Sequence, residues 1–234
     1  MLEVEGLSAG YGEVQILRNV SLRVASGDMV TLVGSNGAGK STLLNTICGI
    51  LRPSAGRVVL DGKDITGWSS EAIVAEGVTQ VPEGRRLFPQ MTVRENLLIG
   101  AYRRRDPRGV ERDIEWMYEL FPILRERHRQ RAGSMSGGEQ QMCAIARGLM
   151  ARPRVLILDE LSLGLAPIML DVLVDALRKV HGEGTTIFLV EQDVATAFDL
   201  ARTGYVLENG GVVLSGPTDE LKVNPHVKRA YLGL

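Results

Sequence analysis

Cysteine is scarce. The 234 residues hold two, Cys48 and Cys143, and neither sits in a C-x-x-C, so neither a disulfide framework nor a dithiol redox motif is available. Long apolar runs are missing too. Aliphatic stretches such as 155–158 span four residues, whereas a membrane-crossing helix needs about 20. The chain is therefore not expected to cross a bilayer by itself. There is no excess of one charge: 27 Lys and Arg face 28 Asp and Glu, for a net charge of -1. A general nucleic-acid binder is usually basic, so bulk charge speaks against one while leaving room for a local patch. The opening residues, Met1 to Glu5, carry neither a basic n-region nor a long apolar core, so no signal peptide is expected. What is present, 44% hydrophobic and 24% charged residues, excludes a disordered chain. The expectation is a reduced, cytosolic, globular protein. At roughly 150 residues per domain it is one large domain or a domain with an inserted lobe.

The apolar pattern alternates between strand and helix. Residues 2–7 and 14–24 predict strands joined by a turn at Gly10-Tyr11-Gly12. Met29 to Val33 predicts a strand buried on both faces, followed by a Gly-rich loop and a helix carrying Leu43, Leu44 and Ile47. Val58-Val59-Leu60 before Asp61-Gly62 predicts a hairpin or turn, and Val78 to Val81 a strand stopped by Pro82. From Thr92 to about Arg129 strands give way to helix, with Trp116, Leu120, Phe121 and Leu124 at helical spacing. The alternation then resumes: helix over 138–151, strand over 154–158, helix over 169–180, strand over 185–190, helix over 194–201. It closes with a hairpin around Asn209-Gly210-Gly211. This predicts a mainly parallel α/β sheet, interrupted by a helical lobe over about 84–150 and otherwise forming one domain over 1–234.

The most informative stretch is Gly34-Ser35-Asn36-Gly37-Ala38-Gly39-Lys40-Ser41-Thr42, which fits G-x-x-x-x-G-K-[ST] between a predicted strand and helix. The glycines let backbone N–H groups turn toward phosphate oxygens, and the helix aims its positive end at the same place. Lys40 supplies a charge to the β- and γ-phosphates and Ser41 a hydroxyl to Mg²⁺. A chance match of this motif in a chain this size has odds of about 1% or less. A second constellation is the apolar strand 155–158 running into Asp159-Glu160. Beside a phosphate loop, Asp159 is the candidate Mg²⁺ ligand and Glu160 the candidate base for an attacking water. Alone, the pair would read as solvated acids closing a strand.

Met135-Ser136-Gly137-Gly138-Glu139-Gln140-Gln141 opens the next predicted helix. Taken alone, Ser-Gly-Gly is an N-cap with permissive glycines. In this order with the other two motifs, the sequence resembles the ATP-binding subunits of ABC transporters over nearly its whole length. Ser136, Gly137 and Gly138, with Glu139 where Gln is usual, match the family signature, and Tyr11 matches the aromatic that stacks on adenine. The resemblance implies a P-loop NTPase core with an antiparallel β lobe and an inserted helical lobe. It implies an ATPase using ATP and Mg²⁺, and a head-to-tail dimer in which the signature of one subunit meets the ATP of the other. Val81 to Arg86, Ser162 to Pro167, Val190-Glu191-Gln192 and Tyr231-Leu232-Gly233 narrow the likeness to ATPase subunits of branched-chain amino acid importers; urea and short-chain amide importers share much of the pattern.

The implied partners are a second copy or a paralogous ATPase, two membrane permeases and, indirectly, a periplasmic or extracellular substrate-binding protein, with no nucleic acid. The implied location is peripheral, on the cytoplasmic side of the inner or plasma membrane. Against a soluble ABC ATPase outside transport, the short interval between Lys40 and Ser136 excludes a long inserted coiled coil; Ser136-Gly137-Gly138 speaks against a P-loop kinase, and Glu160 against a non-hydrolysing scaffold. Several residues depart from the general family. Glu83 stands where Gln is usual, Leu161 where Pro follows the base, Ala166 where an Asp is usual, and Gln192 where a His senses the γ-phosphate. Glu83 is assigned toward the metal and Gln192 toward the γ-phosphate. Phe88, Pro89 and Met91 lie where the family docks its membrane partner, with a local core cluster as an equal alternative. Arg103 to Arg105 and Arg125 to Arg131 read first as solvated helix faces. Cys48 and Cys143 read as buried small hydrophobes. His128, His181 and His226 are too scattered to suggest a metal site.

Overall fold

The structure is a computed structural model that describes residues 1–232. Gly233 of the C-terminal match lies outside the described residues. The chain begins with strands β1 (Leu2–Tyr11) and β2 (Val14–Val24), then β3 (Met29–Val33) and helix α1 (Lys40–Ile47). Next come β4 (Ala55–Leu60), β5 (Lys63–Asp64), α2 (Ser70–Ala75) and β6 (Val78–Val81). The helical segment holds α3 (Val93–Gly100), α4 (Pro107–Leu120), α5 (Pro122–Glu126) and α6 (Gly137–Leu149). Strand β7 (Val155–Asp159), α7 (Pro167–Gly182), β8 (Thr186–Glu191), α8 (Val194–Leu200), β9 (Thr203–Glu208), β10 (Gly211–Pro217) and α9 (Thr218–Val223) follow.

Two sheets form. One is antiparallel, in the order β2-β1-β4-β5; the other runs β10-β9-β3-β8-β7-β6. In the second, β9, β3, β8, β7 and β6 are mutually parallel, and only β10 runs against its neighbour. Every residue of β3, β7 and β8 is buried, as their unbroken apolar runs require. Alternate side chains serve two cores. Phe188, Val190 and Ile157 join Leu7, Leu17, Leu43 and Ile47 under the antiparallel sheet. Ile187, Leu189 and Leu158 join Ile145, Leu177, Phe121 and Leu124 on the helical side. The second cluster runs without a break from α4 through α6 into the sheet.

The sequence reading differs from the fold in three places. Strand β1 continues past Leu7 to Tyr11; a register shift between Val4 and Leu7 turns both of these residues inward although they are three apart, which breaks the alternation. The helical spacing of Trp116, Leu120, Phe121 and Leu124 spans two helices. The chain breaks at Phe121 (φ -132, ψ 83), since Pro122 disfavours helical geometry in the residue before it. Helices α2 and α9 have no counterpart in the sequence pattern: α2 is capped by Ser69 but buries only Ile73, too little to leave a period.

The turn Asn209-Gly210 between β9 and β10 ties the two sheets together. Both residues have positive φ, 47 and 80, as the tight hairpin demands. The Gly210 carbonyl accepts from Arg18 N at 2.8 Å, and its N–H donates to Ala38 O of the Gly-rich loop at 3.0 Å. A Cβ on Gly210 would meet the carbonyl oxygen of Ile16 at 1.7 Å. Gly210→Ala combines that clash with the left-handed backbone, so a loss of about 3 kcal/mol or more is expected in urea unfolding. An unfolding midpoint equal to wild type would contradict this placement of the turn.

Candidate functional site

Strands β3, β7 and β8 end at the same edge of the parallel sheet, and the motif residues emerge there. The Gly-rich loop leaves β3 and closes on itself through Ala38 N to Ser35 O at 3.1 Å. Gly37 and Gly39 hold φ of 82 and 110. A Cβ on Gly39 would also meet Leu17 Cδ2 at 2.9 Å, so only glycine fits. Helix α1 begins here with no side-chain cap and no acid in its first turn. Its N–H groups are thus left for an anion. The loop, Tyr11, Ile16, Glu83, Glu160, Leu163 and Gln192 line one cleft of about 300 Å³. Tyr11 is half exposed at its rim, with its hydroxyl 3.3 Å from Asn45 Nδ2.

Lys40 is buried. Its ammonium donates to Gly34 O at 2.7 Å and Ser35 O at 3.3 Å, and lies 3.1 Å from Glu160 Oε1. Thus the lysine and the candidate base are paired with each other. Asp159, the last residue of β7, is buried, and its Oδ1 has no hydrogen-bond partner among the described residues. Burial, and then the charges of Glu160 and Glu83, push its carboxyl up to about 6, against smaller opposing effects of the Glu83 N–H and Lys40. The unpartnered Asp159 oxygen lies beside the Glu160 and Glu83 charges, but among the described residues no three Asp, Glu, His or Cys side chains converge closely enough to hold a metal ion by themselves; phosphate oxygens and water would have to complete the shell of a Mg²⁺. Three carboxylates against one ammonium would also repel a bare polyphosphate, so the charge balance calls for a cation with it.

Glu83, Gln192, Glu160, Tyr11 and the loop residues Ser35, Asn36, Gly37, Gly39, Lys40, Ser41 and Thr42 are brought together. The signature residues are not. Ser136 caps α6: its Oγ accepts from Glu139 N at 3.4 Å, while Glu139 Oε2 accepts from Ser136 N at 2.8 Å. Glu139 is further held by Arg127 at 2.8 Å. Gly138 is packed so tightly that a Cβ would meet Met169 Cε at 2.4 Å. Residues 136–139 do not line the cleft that holds Lys40.

Other readings resolve differently. Phe88 and Pro89 are exposed and form no core cluster; Phe88 borders a groove with Val74, Ile99 and Tyr102, its ring 5.8 Å from the Arg147 guanidinium. Arg104, read as part of a solvated face, is instead largely covered and paired with Asp106 and Asp113, the latter also gripped by Arg152 at 2.7 Å. Cys48 and Cys143 are buried. Leu161 packs into the helical-side core, so the departure from Pro there is filled by apolar contact. Ile16 and Leu163 also line the cleft; Ile16 reads in sequence as an ordinary strand residue, and Leu163 only as part of the Ser162 to Pro167 stretch. Glu191, quoted only as part of a pattern, is wholly buried.

A family model described as ABC transporter matches residues 17–162. The chain is 46% identical over 233 residues to the high-affinity branched-chain amino acid transport ATP-binding protein BraG of Pseudomonas aeruginosa, covering 100% of both. It is 35% identical to the probable branched-chain amino acid transport ATP-binding protein LivF of Archaeoglobus fulgidus, covering 100% of this chain and 99% of that one. Among solved structures, a nucleotide-free ATP-binding cassette from an ABC transporter superposes with a TM-score of 0.88 at 27% identity, covering 100% and 99% of the two chains.

The raised Asp159 carboxyl has a consequence for stability. The folded protein holds that proton more tightly than an unfolded chain, so Asp159 weakens folding as pH rises from about 4 to about 6, and the full penalty applies above. Asp159→Asn is therefore expected to raise the Tm of the nucleotide-free protein at pH 8 by roughly 2–6 °C, fading toward pH 4. It should also abolish the further rise that ATP with Mg²⁺ gives the wild type. Thermal scans across pH check both; a lower Tm for the mutant at pH 8 counts against the buried, unpartnered charge.

Proposed function

The chain belongs to the ABC transporter family of ATP-binding subunits, and from that premise we propose that it hydrolyses ATP to drive import of branched-chain amino acids through separate membrane permeases. The observation that carries the reading is the cleft in which Lys40, Glu160, Glu83 and Gln192 meet at the mouth of the phosphate loop. Full-length likeness to branched-chain amino acid transport ATP-binding proteins supports the substrate class.

In this reading adenine stacks on Tyr11, and the phosphates lie on the N–H groups of Gly37 and of Gly39 to Thr42, because those of Gly34 and Ala38 are already bonded to Glu191 O and Ser35 O. Phosphate oxygens compete with Glu160 for the Lys40 ammonium. Released from that pair, the Glu160 carboxylate is free to accept a proton from the attacking water. Ser41, Asp159 and Glu83 would hold Mg²⁺, which neutralises charge on the phosphates. Gln192 donates through its side-chain NH₂ to the γ-phosphate and cannot itself carry a proton near neutral pH.

Because Ser136 to Glu139 lie outside the cleft of their own chain, a second subunit supplies them, as the capped N-terminus of its α6. The second subunit is another copy or a paralogous ATPase. No helix among the described residues is long and apolar enough to cross a membrane. We place the chain peripherally on the cytoplasmic face, where the exposed Phe88 groove receives the permease and a substrate-binding protein acts on the far side.

Glu160→Gln keeps the shape of the side chain but cannot take the proton. ATP binding should persist while turnover falls about 10²- to 10⁴-fold. The ATP-bound dimer should accumulate in sedimentation with Mg²⁺. A monomeric mutant with wild-type turnover would refute the assignment. Gln192→Ala in the assembled transporter should lose about 10²- to 10³-fold in rate, and Gln192→His should retain much more. Steady-state ATPase assays of both mutants decide it; an unchanged rate for Gln192→Ala removes Gln192 from the site.

A further inference from the structure

Glu191 ends β8 one residue before Gln192, is wholly buried, and has no part in the chemistry above. Its carboxylate faces the two residues that follow Glu160. Ser162 donates twice, through N to Oε1 at 3.2 Å and through Oγ to Oε2 at 2.9 Å. The Leu161 N–H is directed at the same carboxylate. The main chain of Glu191 turns the other way: its carbonyl accepts from Gly34 N, the first residue of the phosphate loop, at 3.3 Å. One residue thus joins the loop that would hold phosphate to the segment that carries the base.

The base needs such support. Glu160 sits at φ 53, a left-handed conformation that non-glycine residues rarely hold without surroundings that impose it. Upstream, its own N–H is fixed on Val190 O at 2.9 Å. Downstream, Ser162 is fixed on Glu191 by two hydrogen bonds, with the Leu161 N–H turned toward the same carboxylate. We propose that Glu191 is a positioning residue whose buried carboxylate clasps residues 161 and 162, so that Glu160 and Gln192 are set as one rigid unit.

This rests on the reading of Glu160 as the base. Burial foremost, and the nearby Glu160 charge, push the Glu191 carboxyl up to about 7, while the bonds from Ser162 and Leu161 pull it down. A role in packing alone would be filled by an apolar side chain without that desolvation cost.

The test compares ATP affinity, KM and kcat of the purified full chain in four variants. Glu191→Leu removes the clasp. Its kcat should fall on the order of 10²-fold, as for a misplaced reacting group, with ATP affinity within about threefold of wild type. Glu191→Gln can rebuild the clasp, because its carbonyl accepts from the two N–H groups and its NH₂ donates to the Ser162 hydroxyl. It should keep kcat within about fivefold. Ser162→Ala loses one bond and should cost roughly 3- to 10-fold in kcat. Glu160→Gln run alongside separates the two readings. Wild-type turnover in Glu160→Gln overturns the base assignment, whereas an inactive Glu160→Gln beside a fully active Glu191→Leu overturns the clasp alone. Equal losses of affinity and kcat in Glu191→Leu overturn it as well, by showing a general structural role. Should Glu191→Leu not fold, Ser162→Ala decides: an unchanged kcat there overturns the proposal.

Discussion

The buried ammonium of Lys40 is the centre on which the site depends. It enters a region with three carboxylates, those of Asp159, Glu160 and Glu83, and it is paired with only one of them. A buried ion pair gains little net stability, because desolvation of both charges offsets their attraction. Its value here is that it can be exchanged. In the proposed reading phosphate offers Lys40 a stronger partner, and that exchange would release the Glu160 carboxylate. The orphaned Asp159 oxygen adds the complementary demand for a cation. In the proposed reading a nucleotide with its metal would satisfy charges that the protein by itself leaves unbalanced.

That arrangement is possible because three fully buried strands end at one sheet edge. Strands β3, β7 and β8 are covered on both faces, so their positions are fixed by two cores at once. The polar residues at their ends inherit that rigidity. The hairpin turn at Gly210 extends it outward by bonding both to Arg18 in the antiparallel sheet and to Ala38 in the phosphate loop. The loop is thus tied at Gly34, whose N–H bonds Glu191 O, and at Ala38, whose carbonyl accepts from Gly210 N.

The helical segment plays a different part. It shares one apolar cluster with the sheet, yet the cap of α6 lies away from the cleft. Ser136 and Glu139 satisfy each other, so this helix end is already folded before any partner arrives. Arg147 on the same helix holds the carbonyls of Arg85 and Arg86 at 3.1 and 2.7 Å, next to Glu83 and the exposed Phe88. A push on the Phe88 groove is therefore felt both at a cleft residue and along the signature helix. In the proposed reading this would be a mechanical route between the permease and the nucleotide.

Much of this was legible in the residues themselves. The phosphate loop needs glycine where backbone must turn and a lysine at a fixed offset, so its chemistry is local and its motif readable. Buried parallel strands need unbroken apolar runs, which is why β3, β7 and β8 stood out. The hairpins at Asp61-Gly62 and Asn209-Gly210 announced themselves through residues that tolerate positive φ. Tertiary structure alone decided the rest. The bulges of β1 break the alternation that would have revealed its length. Phe121 keeps helical spacing while Pro122 ends the helix. Arg104 is indistinguishable from its exposed neighbours until Asp113 comes to meet it. Glu191 looks like any acid at a strand end, and only the fold places Ser162 within 2.9 Å of its carboxylate. Partnerships between residues far apart in the chain leave no spacing to read, because the distance that matters is set by the packing of the sheet.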